Sequence, residues 1–279
     1  MNDYSNDTKE AEYRKLDDGL GGTYERIAYG ATIERLADEF RARRVLELNA
    51  TFIAGVPGFN SAMLAQDGYE VTITVHSRDY EDTVSAWQLA NLYDRVTIIE
   101  WNDDFATPFK DEQFDLVWNH LAFEHYEDPV PLVEEMRRIA DKLVINFTLS
   151  PYNLGFMLHW LVHKMKRKRW DHGYIKNCLI STMKQTHIQT GLIPIEWGGC
   201  DGPPWLDTVD AQAGGSMRYV GNIIGERKWV WCAINPEARD HWLVKRLWKM
   251  EYLMPNWFKV LTAHHLYVAS KKMRNNESR

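Results

Sequence analysis

The chain has 279 residues, 45% of them hydrophobic and 26% charged, with a formal net charge of −6; this length can bury the core of one α/β domain with an elaborated C-terminal half. It has no run of about 18 apolar residues, its N-terminal stretch MNDYSNDTKEAEYRKLDDG is polar where a secretory leader needs an apolar core, and Cys178, Cys200 and Cys232 are too dispersed for a disulfide framework or a paired zinc site. A membrane-spanning or disulfide-stapled protein is therefore not expected, and a cytoplasmic one is.

Residues 1–20 read as a flexible tail. Tyr24 to Phe40 carries Ile27, Ile33, Leu36 and Phe40 at helical spacing, which predicts a helix ahead of the sheet. Val45 to Leu48 reads as the first strand. The loop after it leads into a helix capped by Asn60 or Ser61, running through Gln66 and ended by Gly68. Val71 to Val75 is a second strand, Glu81 to Tyr93 a helix and Val96 to Trp101 a third strand. Phe114-Asp115 then leads into a buried strand at Leu116 to Trp118, Pro131 to Ile139 into a helix, and Leu143 to Phe147 into a fifth strand. Such regular alternation predicts a parallel, doubly wound α/β sheet.

Beyond Phe147 the pattern changes. Tyr152 to Val162 is apolar on nearly every side and runs into Lys164, Lys166, Arg167, Lys168 and Arg169. A helix is expected from Trp170 to Gly191, a sixth strand over Leu192 to Gly198 and a seventh over His265 to Ser270. Between them, residues 201 to about 262 form a long insertion that includes Pro203-Pro204-Trp205 and a Trp-rich helical pattern from His241 to Leu253. Charge shifts in the same place: residues 1–150 carry 14 basic and 29 acidic residues, net −15, against 19 and 10, net +9, for residues 151–279. The second half therefore suits anions or the first half. Nine of the twelve tryptophans lie from Trp160 onward, and those not needed for the core would form an aromatic surface around a substrate or at an interface.

Between residues 101 and 147 the order is acid, Pro108-Phe109, acid, Phe114-Asp115, strand, Glu124-His125, helix, strand. It resembles the middle of class I S-adenosylmethionine-dependent methyltransferases, particularly the methyltransferase type 11 group, over roughly residues 25–150. The resemblance implies a seven-stranded, mostly parallel sheet with an antiparallel seventh strand. It divides the chain into the tail 1–20, a cofactor-binding Rossmann-like core 21–150, and a half 151–279 whose insertions form a lid and acceptor site. S-adenosylmethionine is the implied cofactor, bound beyond the carboxyl ends of the strands where strand order reverses.

The same resemblance assigns residues. Glu47 takes the place of the acid that organises the glycine loop and the ammonium end of the cofactor, and Gly55 and Gly58 lie in the loop around its methionine part. The usual first glycine is replaced by Asn49, a residue type that reaches left-handed backbone angles; Ala50 and Thr51 depart from the pattern. Val75 stands where a carboxylate normally accepts the ribose hydroxyls, a bond valine cannot make, so His76 or Asp79 would have to substitute. Asp103 is expected to receive the adenine amino group, with Asp104 beside it, and Asn119 to lie near the transferable methyl.

Methyl transfer is an in-line displacement that depends chiefly on positioning, with a base needed only for a protonated acceptor. Candidate bases are His120, Glu124 and His125 after the fourth strand. A second candidate is the pair Asp171-His172, which would otherwise serve as an N-cap. His159 and His163 are spaced as a helical metal pair but have no third ligand nearby, so no metal is expected. Leu154 to Trp170 reads either as a core helix with a solvated charge run or as an anchor to an anionic membrane, peripheral rather than spanning. Nucleic acid ranks below a small-molecule or lipid-like acceptor, since no RNA-binding module accompanies the basic run. The leading reading is thus a methyltransferase whose acceptor, a small molecule or an amphiphilic lipid, the sequence does not identify. The competing reading is a binding or scaffold protein that kept the fold and lost the cofactor. A nicotinamide-dependent dehydrogenase would need a G-x-G-x-x-G fingerprint that is missing here.

Overall fold

The computed structural model describes residues 14–50, 56, 58–167, 170, 172–202 and 230–272. Seven strands form one sheet in the order β3-β2-β1-β4-β5-β7-β6: β1 Arg44–Glu47, β2 Glu70–Val75, β3 Val96–Glu100, β4 Phe114–His120, β5 Ala140–Leu149, β6 Leu192–Cys200 and β7 His265–Lys272. The first five pair in parallel, and β7 lies antiparallel between β5 and β6. The helices are α1 Gly19–Glu39, α2 Ala62–Gln66, α3 Ser77–Leu89, α4 Val130–Ile139, α5 Leu154–Met165, α6 Ile180–Gln189, α7 Pro236–Asp240, α8 Trp242–Leu253 and α9 Asn256–Thr262.

Strand parity divides the core into two layers. Leu116 and Trp118 of β4, with Val71, Ile73 and Val75 of β2, join Tyr24, Ile33 and Leu36 of α1 and Trp87 of α3. Val117 faces the other way, with Val144 of β5 and Val268 of β7, against Leu132 and Met136 of α4 and Met183 of α6. Every strand that carries a side chain on one layer must turn the next residue to the other. This parity fixes which functional residues reach the rim and which lie beneath the sheet.

Some boundaries move for identifiable reasons. Helix α1 begins at Gly19, ahead of the expected Tyr24, and Arg26 anchors its first turns by pairing with Asp18 at 2.9 Å. Helix α3 starts at Ser77 because Asn102 accepts the Ser77 backbone N–H at 3.0 Å and its hydroxyl at 3.2 Å. Strand β5 starts at Ala140, directly after α4, where it pairs with Phe114. The single helix expected from Trp170 to Gly191 is replaced by a short turn, Ile175–Cys178, followed by α6. Gly173 prevents continuity: its φ is +75°, and a Cβ there would lie 2.5 Å from the Glu124 carbonyl oxygen. The expected Trp-rich helix after His241 is present as α8, whereas α9 lies in a stretch read only as insertion. Pro203, Pro204 and Trp205, and residues 1–13 of the expected tail, lie outside the described residues.

All three cysteines are buried free thiols. No helix among the described residues is long and apolar enough to cross a membrane.

Candidate active site

The chain order places β2 and β3 on one side of β1 and β4 on the other, so the strand order reverses between β1 and β4. Asn49 lies just past the carboxyl end of β1, with φ 56° in the left-handed region. Its backbone N–H donates to Thr74 Oγ1 of β2 at 2.8 Å, which turns the chain sharply off the strand. Its side chain crosses the rim: Nδ2 donates to Asp104 Oδ2 at 2.8 Å and to the Tyr126 hydroxyl at 3.3 Å. The Tyr126 hydroxyl itself donates to Asp104 Oδ2, and His76 Nε2 stands 3.6 Å from the same oxygen. Three segments that are far apart in sequence thus converge on the carboxylate of a fourth.

Asp104 is 6% exposed, and burial pushes its pKa up against the opposing pull of Tyr126 and His76. All three of these contacts fall on Oδ2, and among the described residues none is made by Oδ1. Asn49 Oδ1 is buried with no hydrogen-bond partner. A buried acceptor without a donor costs about 1–3 kcal/mol. The cluster therefore retains acceptor capacity for a ligand's hydroxyl or amino groups.

The adjacent aspartates are oriented opposite to expectation. Asp103 is exposed; its Oδ1 accepts the Phe105 N–H at 3.0 Å, and its carbonyl accepts the Trp101 indole N–H at 2.7 Å. It closes a turn, and Asp104 takes the inward position. Asn119, expected near the methyl group, is fully buried beneath the sheet. Its parity on β4 is that of Val117, and its Oδ1 accepts from Asn146 Nδ2 at 2.8 Å. Asn146 continues to His187 at 2.6 Å and His187 to Ser270 at 2.7 Å. Burial pushes His187 down to about 3, so this chain of groups is neutral and structural.

Glu47 is also sealed. Its two oxygens accept from Asn60 Nδ2 at 2.8 Å and Ser61 Oγ at 2.6 Å, and it has no exposed surface. It organises the entry to α2 but cannot face an ammonium group. The loop is clamped from the other side by the Asp18–Arg26 pair: Asp18 Oδ1 accepts the Val56 N–H at 2.9 Å, while Arg26 donates to the Val56 carbonyl at 3.0 Å and to Asn60 Oδ1. Asp18 lies within the expected tail and carries no local motif, so only the fold reveals this clamp. Gly58 has φ +58°, and a Cβ there would meet Thr83 Cγ2 at 2.5 Å. The packing of Thr83 of α3 therefore requires glycine at this position. Phe59 is packed against Trp87, ring centroids 5.4 Å apart. Gly55, Thr51 and Phe52 lie outside the described residues.

The candidate bases fall in two places. Glu124 is fully buried; its Oε1 accepts the Leu149 N–H at 3.1 Å, and burial pushes its pKa up to about 7. His172 packs on Trp170 and His163, ring centroids 4.9 and 5.6 Å apart, and Gly173 rests on the Glu124 backbone. Asp171 lies outside the described residues, as does the side chain of His159. His120, the last residue of β4, turns toward α1 with Glu25 Oε1 at 3.3 Å, and His265 Nε2 approaches the same oxygen at 3.7 Å. Neither Glu25 nor His265 carried a local motif; only the fold brings them to His120.

Residues 53–143 match a family model described as a methyltransferase domain. Among curated proteins no match is found. Solved structures of similar fold include the [4+2]-cyclase SpnF, at 14% identity and TM-score 0.50 over 86% of this chain and 80% of that one. A protein of Bacillus halodurans C-125 provisionally assigned as a methyltransferase has 14% identity and TM-score 0.50 over 88% of this chain and 99% of that one. The magnesium protoporphyrin IX methyltransferase of Synechocystis PCC 6803, solved with bound SAH, has 16% identity and TM-score 0.48 over 65% and 81%. Identities this low speak to the fold alone. The domain match over residues 53–143 and a sheet of order β3-β2-β1-β4-β5-β7-β6 with an antiparallel β7 together give this chain the fold of the class I methyltransferases.

Proposed function

We propose that the protein binds S-adenosylmethionine at the rim formed by Asn49, His76, Asp104 and Tyr126 and methylates an amphiphilic acceptor. The observation that carries the cofactor site is the bonded pair Asn49 and Asp104 at the reversal of strand order, in which Asn49 Oδ1 is a buried acceptor with no hydrogen-bond partner. Asp104 then takes the adenine role expected of Asp103. His76 replaces the missing carboxylate at Val75 as the polar group nearest the end of β2. When bound, the cofactor supplies an electrophilic methyl group on a sulfonium. The chain's own contribution is positioning: Asp18 and Arg26 hold the loop after β1, and Glu47 holds the start of α2.

The acceptor class rests on α5. Leu154, Met157, Leu158, Leu161 and Met165 are between 44% and 74% exposed and recur at helical spacing, so one face of the helix is apolar and bare. Lys164, Lys166 and Arg167 follow directly, and Lys164 sits 4.8 Å over the ring of Trp160. An apolar stripe beside cations suits an anionic amphiphile or the membrane surface that holds it. The test incubates the protein with radiolabelled S-adenosylmethionine and vesicles of neutral or anionic lipid, followed by organic extraction. Label in the organic phase, greater with anionic vesicles, is expected. Label that appears only with water-soluble acceptors would contradict the amphiphile.

A further inference from the structure

We propose that Glu25, His120 and His265 form a binding site for one divalent transition-metal ion, with coordination positions left open for an oxygen ligand. One ligand atom from each residue lies within 4.8 Å of the other two. Two of the three edges are already short, 3.3 Å from Glu25 Oε1 to His120 Nε2 and 3.7 Å to His265 Nε2. Ligands about 2.0–2.1 Å from a metal at tetrahedral angles stand about 3.4 Å apart, so both edges have the separation an ion between them requires.

The pairing within the cluster is poor without an ion. His120 is 5% and His265 4% exposed, yet His120 Nε2 makes no aligned hydrogen bond, although Glu25 Oε1 is 3.3 Å away. The imidazole nitrogen and the carboxylate oxygen are thus close without being joined by a hydrogen bond.

Rigid elements hold the three residues. His120 ends β4, His265 begins β7 across β5, and Glu25 projects from α1. Tyr29, one turn beyond Glu25, packs its ring 4.7 Å from that of His120 and donates its hydroxyl to Asn60 Oδ1 at 3.1 Å. Asn60 is the residue that binds Glu47, so the site is tied to the loop clamp at the same rim of the sheet.

Two imidazoles and one carboxylate suit zinc, iron, cobalt or nickel and disfavour magnesium and calcium, which take oxygen sets. Three protein ligands leave at least one position for water or a substrate oxygen. Glu25, 23% exposed at its side chain, is the solvent-facing member through which an oxygen anion would enter. His265 Nδ1 has no hydrogen-bond partner, and a ligand without such an orienting bond binds more weakly; micromolar affinity is therefore expected. A role for the ion in holding the acceptor's oxygen rests on the methyl-transfer reading, but metal binding does not.

The full chain, stripped with EDTA and free of S-adenosylmethionine, would be titrated with Co²⁺ and followed by visible absorption. One equivalent giving the d–d bands of a low-coordinate nitrogen and oxygen site is expected, shifted by acetohydroxamate and abolished by Zn²⁺. Loss of outer-shell partners alone costs about 10–100-fold in affinity, so Glu25→Gln, His120→Ala and His265→Ala are each expected to weaken binding by about a hundredfold or more. His163→Ala, on the histidine pair of α5, is expected to bind like the unmodified chain. Circular dichroism checks each fold, with His265→Asn replacing an alanine variant that does not fold. Absent bands, binding unaltered by the three variants, or binding lost with His163→Ala would overturn the site; bands insensitive to acetohydroxamate would overturn the open position. Since no cofactor is present, failure here is separable from failure of methyl transfer.

Discussion

At the residue scale, the decisive pair is Asp103 and Asp104. The sequence placed an acid after β3, but two neighbouring aspartates on a turn point in opposite directions. Composition cannot say which faces in. The Phe105 N–H decides it, holding Asp103 in the turn and leaving Asp104 to Asn49 and Tyr126. Asp104→Asn, which preserves shape and removes charge, is expected to weaken S-adenosylmethionine binding at least about tenfold, since hydrogen bonds to a charged group contribute about 1.5–3 kcal/mol. Asp103→Ala is expected to leave affinity within about twofold. Equilibrium binding measured on both variants checks the pair, and the opposite ranking would return the adenine role to Asp103. Asn49 was legible because its residue type tolerates a left-handed turn, and φ 56° is what the structure has. Asn119 and His120 were not separable by residue type; strand parity sends one beneath the sheet and the other toward α1.

At the element scale, the helix that precedes the sheet does more than cover it. Arg26 is 3% exposed and bridges Asp18, the Val56 carbonyl and Asn60. Removing one member of a buried ion pair costs about 3–5 kcal/mol because the other charge remains desolvated. Arg26→Met is therefore expected to lower the urea-unfolding free energy by roughly that amount, and a change below about 1 kcal/mol would show that the clamp is dispensable.

The turn after β4 gives a pH signature. Burial raises Glu124 from 4.5 to about 7, so the folded chain favours the neutral carboxyl. Its contribution is fully present below the unfolded value and is lost as pH rises through about 7, a difference of about 3 kcal/mol. Thermal melts between pH 5 and 8 should show stability falling with pH in the unmodified chain and a flatter profile in Glu124→Gln. Identical profiles would place the titration elsewhere. The strands and most helices were legible from periodicity because each element buries one face. The break at Gly173 was not, since its cause is the Glu124 carbonyl, about fifty residues earlier in the chain.

At the scale of the whole molecule, the acidic first half builds the rim and the basic second half supplies β6, β7 and the apolar face of α5. The likeness to a methyltransferase domain was legible because one stretch, residues 101–147, carries its pattern in order. Glu25 and His265 were not, because α1 and β7 meet His120 only once the sheet is closed. The central claim, that a rim with Val75 at the ribose position still holds the cofactor, is tested most directly by calorimetric titration with S-adenosylmethionine and, separately, S-adenosylhomocysteine. Micromolar binding of both, one ligand per chain, is the predicted result. No heat at millimolar ligand, from protein shown to be folded, would contradict it and leave a methyltransferase fold that has lost its cofactor.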